Sequence, residues 1–214
     1  MRLNLAVNAL VFIFLIWIVS ASAAKADFTL TIQMIQPGFL SAPVQDTVYI
    51  KGMKFRHDFA GNSASVIADI SANRAIVIDR INRYYQLGPV DKTSGFAFAY
   101  KNFTKKNTLW IKSPKTLEIL GHLCTEYVLP QYKLGGRWEV FAAQDIPSAN
   151  DFNWATGVAH MPAPDGIQGF PLLVRRSSGD LATTYKVTTI DENPLPDSVF
   201  SMQPPRDYKL KASR

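Results

Sequence analysis

The chain has 214 residues, with 23 basic and 17 acidic side chains, three histidines and one cysteine. One cysteine excludes an internal disulfide, and three histidines leave few near-neutral bases from which to build a catalytic or metal centre. The basic residues are scattered (Lys105-Lys106, Arg175-Arg176, Arg80, Arg83) and not interleaved with aromatic side chains in one segment, which argues against nucleic-acid binding and for a solvated face, with contact to an anionic membrane surface as the sharper alternative.

Met1 to Ala26 has the three parts of a secretory signal: Arg2 near the amine, an apolar run from Leu5 to Val19 broken by Asn8, and small residues after it. Two cleavage frames fit, Ala21-Ser22-Ala23 and Ala24-Lys25-Ala26, and the second is preferred because Asp27 then opens a strand-like segment. The apolar run is short for a spanning helix, which needs about 20 residues, so a retained membrane anchor is the weaker expectation. Cleavage after Ala26 removes Arg2 and Lys25, leaving 21 basic against 17 acidic residues, a net charge near +4. The remaining chain, 27–214, is long enough for one domain with a sizeable core and shows no linker. The expected location is the periplasm or the exterior.

DFTLTIQMIQ, from Asp27 to Gln36, alternates apolar and polar residues and is stopped by Pro37-Gly38, which predicts a first strand. Five more short aromatic or β-branched segments follow between Asp46 and Gly88: DTVYIKG, MKFRHDFA, ASVIADI, RAIVIDR and NRYYQLG. Gly52, Gly61-Asn62, Ser71 to Asn73 and Asn82 separate them. Connections this short cannot hold helical crossovers, so an antiparallel meander is expected. His57 alternates with Phe55 and Phe59, which makes it a hydrogen-bonded core or rim histidine on an apolar face, since no nucleophile motif accompanies it.

Between Asp91 and Lys112, Phe96, Ala99, Tyr100 and Phe103 recur at helical spacing. Thr116 to Ile146 reads as a central hairpin whose first arm carries Leu117, Ile119, Leu123, Tyr127 and Leu129 on one face, reversing at Gly135-Gly136 into a second arm from Arg137 to Ala143. Cys124 shares a face with Leu120 and Val128 and reads as a small core residue. With His122 beside it a metal pair is conceivable, but no HxxxH or CxxC spacing supplies further ligands, so neither metal nor cofactor is expected. DFNWATGVAH, from Asp151 to His160, is a second helical segment. Prolines and glycines up to Pro171 then precede two closing strands, PLLVRRS and TTYKVTTIDE. Asn102-Phe103-Thr104 matches a glycosylation acceptor, relevant only in a eukaryotic secretory pathway.

Five segments in order resemble the bacterial domain-of-unknown-function 4412 family. YIKGMKFRHDF resembles its lysine-glycine turn and basic strand, ILGHLCTEYVL its glycine, cysteine and tyrosine strand, and WEVFAAQDI its aromatic-to-aspartate strand. GFPLLVRRS stands where the family has a glycine-x-proline-leucine strand, and LPDSVFSMQPPRDYK resembles its closing motif. The departures are Phe141, where the family often has tryptophan, and extra residues between Met202 and Tyr208. Such proteins are similar to the LolA-like periplasmic lipoprotein carriers. That resemblance implies a mostly β fold: a strongly curved antiparallel sheet, a half-barrel, with a few short helices in its concave face and a cavity for acyl chains.

A long meander cannot remain flat, which agrees with that expectation. Phe55, Phe59, Tyr84, Tyr127 and Phe141 are the cavity candidates if alternation holds, with ordinary core as the alternative. The expected function is non-catalytic binding of a lipid, a lipoprotein acyl chain or another apolar ligand. An envelope protein-interaction or sensor domain with a filled core is the first alternative. A secreted hydrolase built on His57, His122 or His160 is the second, and no GxSxG, HExxH or paired-carboxylate pattern surrounds those residues. Oligomeric state is left open.

Overall fold

A computed structural model describes residues 27–36, 38, 42–90, 110–130, 136–146, 166–179 and 181–211. The two helical segments expected around Phe96 to Phe103 and Asp151 to His160, and the signal segment, lie outside the described residues. Among the described residues there are twelve strands: β1 (Phe28–Ile35), β2 (Val44–Lys51), β3 (Lys54–Asp58), β4 (Ala64–Asp69), β5 (Arg74–Asp79), β6 (Tyr84–Gly88), β7 (Ile111–Ile119), β8 (His122–Leu129), β9 (Arg137–Ala143), β10 (Phe170–Ser178), β11 (Leu181–Asp191) and β12 (Lys209–Leu210). They form one open, curved sheet in the order β12-β6-β5-β4-β3-β2-β1-β11-β10-β9-β8-β7. Every pair is antiparallel except β12 with β6, which run parallel. The mostly β, curved-sheet expectation therefore holds, with one parallel edge that the meander pattern did not contain.

Two consecutive turns show why β4, β5 and β6 stay in register. Asp69 accepts hydrogen bonds from Ser71 Oγ at 2.6 Å and Ala72 N at 3.0 Å, and ten residues on Asp79 accepts from Asn82 N at 2.9 Å and Asn82 Nδ2 at 2.8 Å. Each turn closes on a residue with positive φ, Asn73 at 47° and Arg83 at 56°. The aspartates thus satisfy backbone donors that the ladder leaves unpaired, as side-chain-capped turns do. These bonds hold both carboxyls below the usual carboxylate value, Asp69 mainly through Ser71 and Asp79 mainly through Asn82.

The expected single long arm from Thr116 to Leu129 is corrected: it is two strands. Ile119 pairs with His122, so the chain reverses at Leu120 and Gly121, whose φ values are 53° and 84°. Two positive φ values define the turn type whose twist suits a tight hairpin. Glycine carries this without cost, but the left-handed region costs an ordinary L-residue about 1–2 kcal/mol. Leu120 is exposed and gains little packing in return. Leu120→Asn is accordingly expected to stabilise the fold by about 0.5–1 kcal/mol, read as a higher denaturation midpoint with unchanged slope; a lower midpoint would show that Leu120 is held by packing.

The sheet's inner face is built in rungs that the register makes explicit. One runs Phe28, Ile50, Phe55, Ala68, Ala75 from β1 to β5, and the next runs Leu30, Val48, His57, Val66, Val77. Across β1 the same face continues through Ile32 to Val187 and through Met34 to Tyr185, Val174, Val140 and Tyr127. Two irregularities keep it in phase: β11 shifts register opposite Thr31/Ile32, where Thr188 Oγ1 donates to Thr31 O at 3.3 Å, and β10 inserts Leu172 between Pro171 and Leu173. Leu30 and Val48 are fully buried.

The C-terminal stretch covers part of the other face. Leu195, Val199, Phe200, Met202 and Tyr208 pack on Ile67, Ile76 and Ile78 of β4 and β5. Basic side chains of β2 and β3 hold it there. Lys51 Nζ donates to Leu195 O at 2.6 Å, Arg56 Nη1 donates to Val199 O at 3.1 Å, and both Lys51 and Lys54 pair with Asp197 at 3.3 and 3.4 Å. At the other end of the strap, β12 adds to the free edge of β6. This covers an edge that would otherwise expose unpaired backbone groups.

Candidate functional site

Three places bring polar chemistry into or beside the apolar sheet, and each is best judged from the residues that build it. The first is His57 on β3. Alternation places its ring between Phe55 and Phe59, with centroids 6.5 Å and 3.9 Å away, and the rung places it between Val48 and Val66. A buried imidazole in such surroundings needs a partner. Asp46 of β2 supplies it, with Oδ2 3.0 Å from His57 Nε2, and Asp46 Oδ1 accepts from Ala60 N at 2.8 Å. An ionised carboxylate only accepts, so Nε2 carries a proton here. The pair pins the short 3₁₀ turn Ala60–Asn62 against β2. No described nucleophile is bonded to it: Ser65, the buried hydroxyl nearby in sequence, donates instead to Asp58. The sequence expectation of a hydrogen-bonded core histidine is what the geometry gives.

The second place is Cys124, His122 and Asp145. His122 Nδ1 lies 2.8 Å from Asp145 Oδ2, a bond that holds the Asp145 carboxyl below its ordinary value. Histidine, carboxylate and thiol together invite comparison with a nucleophilic triad. The thiol is wrong for that. Cys124 is buried, its weak contact at 3.5 Å runs to the His122 backbone oxygen and not to the imidazole, and burial, with Asp145 adding to it, pushes the thiol up to about 11. Reactive cysteines are thiolates near neutral pH. We therefore expect Cys124 to remain unmodified by a disulfide thiol reagent at pH 8 in the folded protein and to react fully only in denaturant; stoichiometric reaction under native conditions would contradict its burial.

The third place is the aromatic inner face of β8 to β11. Trp110, Tyr127, Leu129, Trp138, Val140, Ala142, Ile167 and Val174 form one buried cluster, with Tyr185 packed against it. Tyr127 also accepts a hydrogen bond from Gln168 N at 3.3 Å. Arg176 enters this apolar patch beside Trp138, its guanidinium carbon 5.3 Å from the ring centroid. Burial lifts the Tyr185 phenol above its ordinary value, with Arg176 opposing the shift and Asp46 adding to it.

Three of the five aromatic cavity candidates, Phe55, Phe59 and Phe141, belong to one hydrophobic cluster, and Tyr84 and Tyr127 lie outside it. Phe55 is fully enclosed in the first rung, and Phe59 is half-buried against the same cluster. Tyr84 lies at the start of β6 with 40% of its surface exposed. Tyr127 pairs with Val140, while Phe141 pairs with Glu126, so these two rings point to opposite sides of the sheet. Phe141 sits under a charged roof on the outer side, with Lys115 Nζ 5.2 Å and the Arg175 guanidinium 6.0 Å from its ring, and Lys115 also pairs with the buried Glu126 at 3.3 Å. Trp138, Tyr185 and Arg176 were not among the sequence candidates. His160 lies outside the described residues. Among the described residues no group of three histidine, cysteine or carboxylate side chains is placed to hold a metal ion.

No family model and no curated relative matches the chain, so the expected resemblance to the domain-of-unknown-function 4412 family is not confirmed. Solved structures do share the fold. An uncharacterized conserved protein from Thermus thermophilus superposes with a TM-score of 0.55 at 10% identity, over 87% of this chain and 90% of that one. PNGF-II superposes with a TM-score of 0.50 at 13% identity over 87% of this chain, which spans only 31% of the length of that protein. A LolA superfamily protein from Nitrosomonas europaea aligns over 83% of this chain and 90% of that one at 10% identity, with a TM-score of 0.37. With the first two what is shared is an architecture, and function has to be argued from the sites.

Proposed function

We propose that the chain is an exported, periplasmic, non-catalytic binding module for an apolar ligand such as a lipid or the acyl chain of a lipoprotein. The observation that carries this reading is the continuous apolar inner face, running in register from Ala75 of β5 to Leu129 of β8, with aromatic side chains concentrated at the β8 to β11 end. Sites for apolar ligands have this make-up: hydrophobic and aromatic lining with few polar groups. The histidine and cysteine sites argue the same way, because His57 Nε2, His122 Nδ1 and Cys124 Sγ each contact a structural partner and not one another. The export signal read at Met1 to Ala26 supports the location.

Burying a chain on this face would gain at most about 0.8 kcal/mol per methylene. The gain falls short of that limit because side chains as enclosed as Leu30 and Val48 are already out of water. Modest affinity and dependence on chain length follow. The test is native mass spectrometry of protein purified without detergent, with lipid extraction and titration of an apolar fluorescent dye. A stoichiometric lipid, or saturable dye uptake competed by acyl chains, supports the proposal; an empty protein that takes up no dye defeats it.

A second reading, an envelope protein-interaction domain, draws on the β7-β8 hairpin. Leu117, Leu120 and Leu123 are exposed there, Leu123 with 65% of its surface, on the edge strand of the sheet and the strand beside it. Sheet edges of this kind recruit partner strands. An empty inner face together with a captured protein partner would favour this reading.

A further inference from the structure

Among the described residues Arg176 is the one guanidinium that enters the aromatic cluster of the inner face. Its register explains why. On β10 Arg175 pairs with Glu139 and Thr184 on the outer side, whereas Arg176 pairs with Trp138 on β9 and Thr183 on β11. Trp138 in turn pairs with Leu129, so the row beneath Arg176 is apolar and aromatic on its β8 and β9 side. Arg175 has an acidic neighbour, Glu139 Oε2 at 4.0 Å. Arg176 forms no ion pair among the described residues, and its Nε is buried without a hydrogen-bond acceptor. Asp46, a carboxylate on the same face, is already bonded to His57 and to Ala60 N. A buried guanidinium nitrogen without an acceptor leaves a full desolvation penalty standing. Cation-aromatic contact with Trp138 offsets part of it, but supplies no acceptor for the N–H.

We infer that Arg176 is the headgroup subsite of the inner face and receives the oxyanion of an acyl amphiphile, a carboxylate or phosphate, while the chain lies along Val174, Tyr185 and Val187. This rests on the apolar-ligand reading above and adds to it the charge of the ligand. The chemistry fits both ends. Guanidinium presents parallel N–H donors matched to a carboxylate or phosphate. The row that starts at Val174 and Tyr185 continues through Met34, and beside it through Val187 and Ile32, toward the rungs of β1 to β5. Neutral or cationic amphiphiles would leave Arg176 unsatisfied.

The experiment compares oleate, oleyl alcohol and lysophosphatidate by quenching of tryptophan fluorescence in the purified protein and in Arg176→Met and Arg176→Lys, all checked for native circular dichroism. Methionine keeps an unbranched apolar stem over Trp138 and removes the charge. Wild type is expected to bind oleate at least about tenfold more tightly than the alcohol. Arg176→Met should remove that difference without weakening the alcohol, and lysine should retain part of it. Tighter binding of lysophosphatidate than of oleate assigns a phosphate, and the reverse assigns a carboxylate. Equal affinity of wild type for the alcohol and for both oleate and lysophosphatidate, or undiminished binding of both oxyanion ligands by folded Arg176→Met, overturns the headgroup subsite. If wild type binds none of the three, the apolar-ligand reading itself fails.

Discussion

Replacing Gly169 by alanine is expected to destabilise the protein by about 3–5 kcal/mol, from overpacking against backbone together with a left-handed conformation. Gly169 stands directly before β10 with φ +92°, and a Cβ there would collide with the Ala143 carbonyl, 2.6 Å from its carbon, and would come within 3.0 Å of Gln144 Cα. These atoms are backbone at the end of β9, the strand paired with Phe170 and Pro171. No rotamer change can relieve the clash, so β9 and β10 would have to separate where the β10 irregularity at Leu172 begins. Phe170, Leu172 and Leu173 would be drawn out of the core with them. Urea denaturation monitored by tryptophan fluorescence checks this: the midpoint should fall steeply, and Gly169→Ser should behave the same way. A loss below about 1 kcal/mol would mean that the two strands can part without disturbing the core. The same contact explains Gly169 in physical terms, as a place where one strand backbone lies against another.

Much of the sheet was legible because its strands alternate cleanly. Phe28, Leu30, Ile32 and Met34 are spaced by two, and capped polar turns at Asp69 to Asn73 and Asp79 to Arg83 punctuate the meander. The β7-β8 reversal was not legible. Its first positive-φ position is a leucine, which carries no turn signal, and a single glycine, Gly121, is outweighed by the apolar alternation that runs straight through the corner. The separation of Tyr127 from Phe141 was hidden for a different reason. Alternation fixes which residues of one strand share a face, but the relation between strands depends on register, and β8 pairs with β9 so that Tyr127 meets Val140. Two odd-numbered positions, 127 and 141, therefore land on opposite sides. Arg176 was hidden in the same way within a scattered basic pair, because only the β9-β10 register shows that Arg175 faces out and Arg176 in. The strap from Leu195 to Leu210 has no periodicity to read. Its place follows from Lys51, Lys54 and Arg56 reaching more than 140 residues along the chain to the backbone and carboxylate of that stretch.

Asp46→Ala is expected to cost about 2–4 kcal/mol, because it strips acceptors from two donors at once. His57 Nε2 would face Leu30, Val48, Val66 and the Phe59 ring with nothing to bond, and Ala60 N would lose its partner at the 3₁₀ turn. The loss is kept from being larger by Asp46 itself, whose side chain is 20% exposed and leaves room for water to take its place. His57→Leu should restore an all-apolar rung and remove one of the two orphaned donors. In the double substitution the cost should therefore be smaller than the sum of the single costs by at least about 1 kcal/mol, the signature of directly coupled groups. Denaturation midpoints of the four proteins close that cycle. Additive costs would place the stabilising role of Asp46 wholly in the bond to Ala60 N, leaving His57 as a spectator in the rung. A clear coupling would instead make the pair the polar lock that fixes β3 against β2 on a face otherwise held by shape alone, and would locate the rigid end of that face opposite the Arg176 end, where an oxyanion is proposed to bind.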